Sequence, residues 1–124
     1  MKNTLWILLS ITLFSGCAGQ GDSSITAPDE YAIVYKSTEA IQCQFEGNPP
    51  ETTAQELIDN GIDVLGSECG FITGTEVPSV CGIGDLSINI HTIHVQNLDI
   101  AIDLGFTDVA SLPEEQGYEI TECD

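Results

Sequence analysis

The sequence predicts a small α+β domain cross-linked by disulfides. Three observations point there. Short stretches rich in β-branched and aromatic residues alternate with two short amphipathic helices. Four cysteines, Cys43, Cys69, Cys81 and Cys123, are spread through the candidate domain. The chain also opens with the layout of an export signal, which would deliver those cysteines to an oxidising compartment.

The domain is expected to span residues 30–124. Tyr31-Ala32-Ile33-Val34-Tyr35 is β-rich and reads as a strand that continues irregularly toward Cys43. Gly47-Asn48-Pro49-Pro50 breaks it. Thr53-Ala54-Gln55-Glu56 has the pattern of a capping box, with Thr53 as N-cap and Glu56 reaching back. Ala54, Leu57 and Ile58 then share a helical face, and Gly61 suits the left-handed position after the helix. Ile62-Asp63-Val64-Leu65 reads as the next strand, and Phe71-Ile72-Thr73 as a short one.

A turn is expected at Gly82–Gly84. Leu86-Ser87-Ile88-Asn89-Ile90 alternates as a strand does, but Ile93 and Val95 fall on the other parity, so a bulge is expected near His91-Thr92. Asn97 is positioned to cap a second helix carrying Leu98, Ala101 and Ile102, closed by Gly105. Thr107-Asp108-Val109-Ala110 and Tyr118-Glu119-Ile120-Thr121 are further strand candidates. A weak internal echo runs through the chain: helix, Gly61, Ile62 parallels helix, Gly105, Phe106. Two strand–helix–Gly–strand units in tandem give β-α-β-β-α-β, the order of a ferredoxin-like split sandwich. An irregular small α+β domain is the alternative.

The N-terminal 16 residues read as a signal peptide. Lys2 supplies the positive charge, and the apolar run at 5–14 is too short for the ~20 residues that span a bilayer. Leu13-Phe14-Ser15-Gly16-Cys17 resembles the lipobox of bacterial lipoproteins, with Phe14 where that class usually carries Leu. The resemblance implies cleavage before Cys17, acylation of its thiol, and attachment to a lipid bilayer in the cell envelope. Residues 17–29 are small and polar, and read as a flexible tether reaching on the order of 20 Å. Ala18 follows Cys17, where Asp marks inner-membrane retention in Gram-negative sorting; by that resemblance the outer membrane is the expected address.

Export makes the four remaining cysteines expected bridge partners, with three connectivities open. The preferred one joins Cys69 to Cys81 and Cys43 to Cys123. Cys43–Cys69 with Cys81–Cys123 ranks close behind. With no Cys-x-x-Cys, neither a redox pair nor a zinc knuckle is signalled.

Net charge is −18, from 20 acidic and 2 basic residues. Loss of the signal removes Lys2 and leaves Lys36 as the lone Lys or Arg. Such a chain repels nucleic-acid backbones, so no nucleic-acid partner is expected. His91 and His94 are three apart and should face opposite sides of a strand, one exposed and one half-buried, which argues against joint chelation. The sequence contains no Gly-x-Ser-x-Gly, EF-hand loop or phosphate-binding loop, so no catalytic residue, metal or cofactor is assigned. Asp99 and Asp103 form only a like-charged pair at i, i+4. The expected function is a lipid-anchored envelope module that binds a protein, peptide or glycan. The alternatives are a small envelope enzyme or enzyme inhibitor, and a weak divalent-cation binder.

Overall fold

The computed structural model describes residues 30–123. The expected signal at 1–16, Cys17 and the tether at 17–29 lie outside the described residues. Among the described residues no helix is long and apolar enough to cross a membrane.

The elements run β1 (Tyr31–Ser37), α1 (Pro50–Asp59), β2 (Gly66–Thr73), β3 (Ser87–His94), α2 (Leu98–Asp103), β4 (Thr107–Asp108) and β5 (Gly117–Thr121). They build a five-stranded antiparallel sheet in the order β4-β1-β3-β2-β5, with two helices and two disulfides. This α+β domain departs from the expected four-stranded sandwich by carrying a fifth strand beside β2. Its β4 is also only two residues long.

The centre of the sheet explains the slipped phase read in the sequence. β3 pairs with β1 one-to-one from Tyr31↔His94 to Ser37↔Ile88, so no bulge interrupts it. Instead β3 is buried on both faces. Asn89, His91 and Ile93 point toward the helices, while Ile88 and Ile90 point away. On the helix side Ala32, Val34, Ile93, Leu57, Ile62, Ala101 and Phe106 form one core cluster. Complete burial of a Leu57 or Ile93 side chain contributes roughly 2 kcal/mol. On the other side Ile72, Ile88 and Ile90 form a second, smaller cluster, joined by half-buried Ile33, Tyr35, Leu86, Leu112 and Tyr118.

Leu112 reaches that second cluster because β4 and β5 occupy opposite edges. The chain between them must cross about 19 Å of sheet at ~4.8 Å per strand. Residues 109–116 make that crossing over the face away from the helices. At one end they press against the turn that follows β2, where a Cβ on Gly74 would stand 1.9 Å from the Glu115 carbonyl oxygen.

Both helices end alike, as the sequence echo implies. Gly61 (φ 81°) and Gly105 (φ 97°) take the left-handed turn. The following amides, Ile62 and Phe106, bond back to the carbonyls of Leu57 and Ala101, each at 3.0 Å. These are Schellman closures, and they tuck Ile62 and Phe106 into the same core. The echo stops there. Residues 62–65 are not a strand; β2 begins only at Gly66.

The helix starts differ from expectation. α1 begins at Pro50 with Pro49 as N-cap, because a proline at the first helical position has its φ preset and lacks an N–H that would be unpaired anyway. Thr53 therefore lies inside the helix, and its hydroxyl donates to the Pro50 carbonyl at 3.2 Å rather than capping. Asn97 makes no side-chain cap; a 3-10 turn over Val95–Asn97 leads into α2. Lys36 ties the two helices together. Its Nζ donates to Glu56 Oε2 at 2.5 Å and to the Leu104 carbonyl at 3.4 Å, and stands 5.0 Å from the centre of the Phe106 ring.

The cysteines take the third connectivity, Cys43–Cys81 and Cys69–Cys123, which corrects both pairings ranked from sequence. Strand register gives the reason. β5 sets Thr121 opposite Cys69, so Cys123 comes two residues further along the same face, with the Cα atoms 5.3 Å apart. At one end of the sheet, Gln42 N bonds to the Ile83 carbonyl and Gly82 N to the Gln42 carbonyl. These bonds bring Cys43 beside Cys81, with Cα atoms 5.1 Å apart.

Candidate binding cleft

Two polar positions on the helix side of β3 are candidates for chemistry. The first is His91, which is 0 % exposed, so the expectation of one exposed and one half-buried histidine fails. His94 does lie on the opposite face, with its ring 5.6 Å from that of Tyr31. Both His91 nitrogens are occupied. Thr53 Oγ1 lies 2.6 Å from Nε2 and Ser67 Oγ lies 2.7 Å from Nδ1. The Thr53 hydroxyl donates to the Pro50 carbonyl, which assigns the ring proton to Nε2 and leaves Nδ1 to accept from Ser67. Desolvation lowers the His91 pKa to about 4, although Glu51 and Glu56 act in the opposite sense. The ring is therefore neutral at pH 7, and it pins α1 to the sheet through Thr53.

Ser67–His91–Thr53 has the outline of a nucleophile, base and orienting group. Its chemistry is poor. A base with a pKa near 4 takes a proton reluctantly at neutral pH, and the cleft described next does not reach Ser67 or His91. All four domain cysteines are in bridges, so no thiol among them is free to replace the hydroxyl.

The second position is Asn89, 1 % exposed and two residues before His91. Its Nδ2 donates to the Asn48 carbonyl at 2.9 Å. Its Oδ1 is buried with no hydrogen-bond partner; among the described residues it is the one such side-chain atom. An unpaired buried acceptor costs about 1–3 kcal/mol. Asn89 lines a cleft of about 320 Å³ on the helix side of the sheet. One wall is the turn into α1, Asn48-Pro49-Pro50. Opposite it stand Thr121, Glu122 and the Cys69–Cys123 bridge. Glu46 also lines the cleft. Hence Cys69 and Cys123, expected to serve stability alone, also shape a concave surface, because β5 pairs beside β2.

Among the described residues no three His, Cys, Asp or Glu side chains converge as a metal centre requires. Asp99 and Asp103 lie exposed on α2. Sequence reasoning missed Asn89 altogether. The only available signal was its place in a strand whose apolar residues occupy both parities, which marks a central strand and hence a buried side chain. A scan of protein-family models, a search of curated proteins and a search of solved structures each returned no match to this chain.

Proposed function

We propose that this chain is a bacterial lipoprotein, held in the envelope through acylated Cys17 and a tether over 17–29, whose domain is a binding module for an envelope protein, peptide or glycan. The lipobox-like Leu13-Phe14-Ser15-Gly16-Cys17 supports the anchor, and two bridges among four cysteines suit an exported domain. The outer membrane is the address favoured by Ala18. The observation that carries the binding reading is Asn89 Oδ1, a buried acceptor left unpaired beside an open cleft. A ligand donor would complete it, as a well-formed site with a few placed polar groups requires. The enzyme reading draws only on Ser67–His91–Thr53, where the cleft is absent and the base is weak.

A finer architectural reading accompanies this one. We read the sheet as a ferredoxin-like sandwich extended by β5 at the outer edge of β2, a reading that the neighbouring order β4-β1-β3-β2 supports.

The test uses the intact chain in its envelope. A photo-crosslinking residue replacing Thr121 should form an adduct with an envelope component, and one replacing Asp59, at the far end of α1, should not. Cys17→Ser should release the chain from the membrane fraction and abolish palmitate labelling. Equal adducts from both positions would remove the cleft reading, and a palmitate-labelled Cys17→Ser chain would remove the anchor.

A further inference from the structure

Building on the cleft as the binding site, we infer that it takes the ammonium or guanidinium end of a Lys or Arg side chain presented by an envelope peptide or protein. Four features converge on that chemistry.

The orientation of Asn89 comes first. Its amide cannot turn over, because Oδ1 would then face the Asn48 carbonyl, acceptor against acceptor. The unpaired atom is thus fixed as an acceptor and calls for a donor. Oδ1 itself is shielded from solvent. A donor paired with Oδ1 faces little competition from solvent.

Second, the helix start that forms one wall lacks most of the amide donors that would suit an anion. A helix start normally presents free amides to a negative group. Here Pro49 and Pro50 have no N–H, and the Thr52 amide is already bonded to the Pro49 carbonyl at 3.0 Å.

Third, the formal charges lining the cleft are of one sign. Glu46 and Glu122 line it, and no Lys or Arg does. The hydroxyls of Thr38, Ser87 and Thr121 can accept as well as donate. Among the described residues Lys36 is the only Lys or Arg, and it is engaged by Glu56 and Leu104. With a net charge of −18 the chain draws cations toward it and repels phosphates and other anions.

Fourth, size limits the occupant. About 320 Å³ lies at the lower end of the range for small-molecule sites, room for one side chain rather than a helix. A neutral hydroxyl from a glycan would satisfy Oδ1 but would gain no attraction from Glu46 and Glu122.

The experiment follows backbone and Asn89 side-chain amide signals of the full-length lipidated chain in micelles by NMR. Five probes are titrated: the Nα-acetyl amides of lysine, arginine and norleucine, then ethanolamine and N-acetylglucosamine. Lysine or arginine should give saturable shifts at Asn89, Thr121 and Cys123, and uncharged norleucine none. Glu122→Gln should weaken the response about twofold to fivefold, the range expected for one exposed charge pair. Asn89→Leu should abolish it; if that variant fails to fold, Glu122→Gln, an exposed position, still decides. Equal shifts from norleucine, or lysine shifts unchanged in both variants, overturn the inference. Binding by ethanolamine but not by lysine or arginine overturns it in favour of a lipid headgroup. Shifts from N-acetylglucosamine alone overturn the cationic class while the cleft stays a binding site. If no probe binds, the inference falls; an adduct from Thr121 would then preserve the cleft reading, and its absence would remove both.

Discussion

His91 and Asn89 lie two residues apart on the same face of β3, both buried, both polar, both beneath the α1 side of the sheet. Yet one is complete and the other is not. His91 has a hydrogen-bond partner for each ring nitrogen, drawn from α1 and from β2. Asn89 has a partner for its amide nitrogen only. A buried polar group whose every valence is met inside the fold holds elements together and has nothing left to offer. A buried group with an open valence beside a cleft costs stability in the isolated domain and can be completed from outside. The contrast separates a structural pin from a candidate recognition point, although burial alone ranks the two residues together.

The largest expected effect is on acid stability. His91 has a folded-state pKa of about 4 against 6.5 unfolded, so the unfolded chain takes up the proton first as pH falls. Stability from this source is fully present above pH 6.5 and is lost progressively down to pH 4, in total roughly 3 kcal/mol. Carboxylates titrate in overlapping ranges, so the measurement is a difference. Urea unfolding of the wild type and of His91→Leu from pH 7 to pH 4 should show the wild type losing its advantage across that window. Parallel curves for the two proteins would mean that His91 is not a buried neutral pin.

The next effect is His91→Leu itself at pH 7. It removes two hydrogen bonds, each contributing about 1 kcal/mol, so a loss of roughly 2 kcal/mol is expected in the same unfolding experiment. The smallest effect is Asn89→Leu. That change gives up the bond to the Asn48 carbonyl but also deletes the unpaired Oδ1, and the two nearly cancel. Its stability should stay within about 1 kcal/mol of wild type. A loss at Asn89→Leu as large as that at His91→Leu would erase the contrast and make both residues structural.

Several features of the fold were legible because local chemistry decided them. Gly61 and Gly105 are followed by apolar residues, and both helices close by Schellman bonds at those glycines. β1, β3 and β5 fall close to the stretches where β-branched and aromatic residues gather. Errors came where a local cue competed with a second one. Thr53 and Glu56 fit a capping box, yet Pro50 starts the helix a turn earlier and frees Thr53 to meet His91. Likewise, the change of parity at His91-Thr92 mimics a bulge, because a strand buried on both faces has no polar side to mark its phase.

The amino-acid sequence by itself determined the class of domain, its two helix ends, its acidity and the supply of four cysteines for two bridges. Those depend on composition and on contacts within a few residues. Tertiary structure alone decided which cysteines meet, that His91 is sealed while Asn89 keeps an open acceptor, and that Cys69–Cys123 walls a cleft. The physical reason is common to all three. Each follows from pairings between segments far apart in the chain, β5 on β2, α1 on β3 and the Gln42 segment on residues 82–83, and no local pattern encodes the partner of a strand.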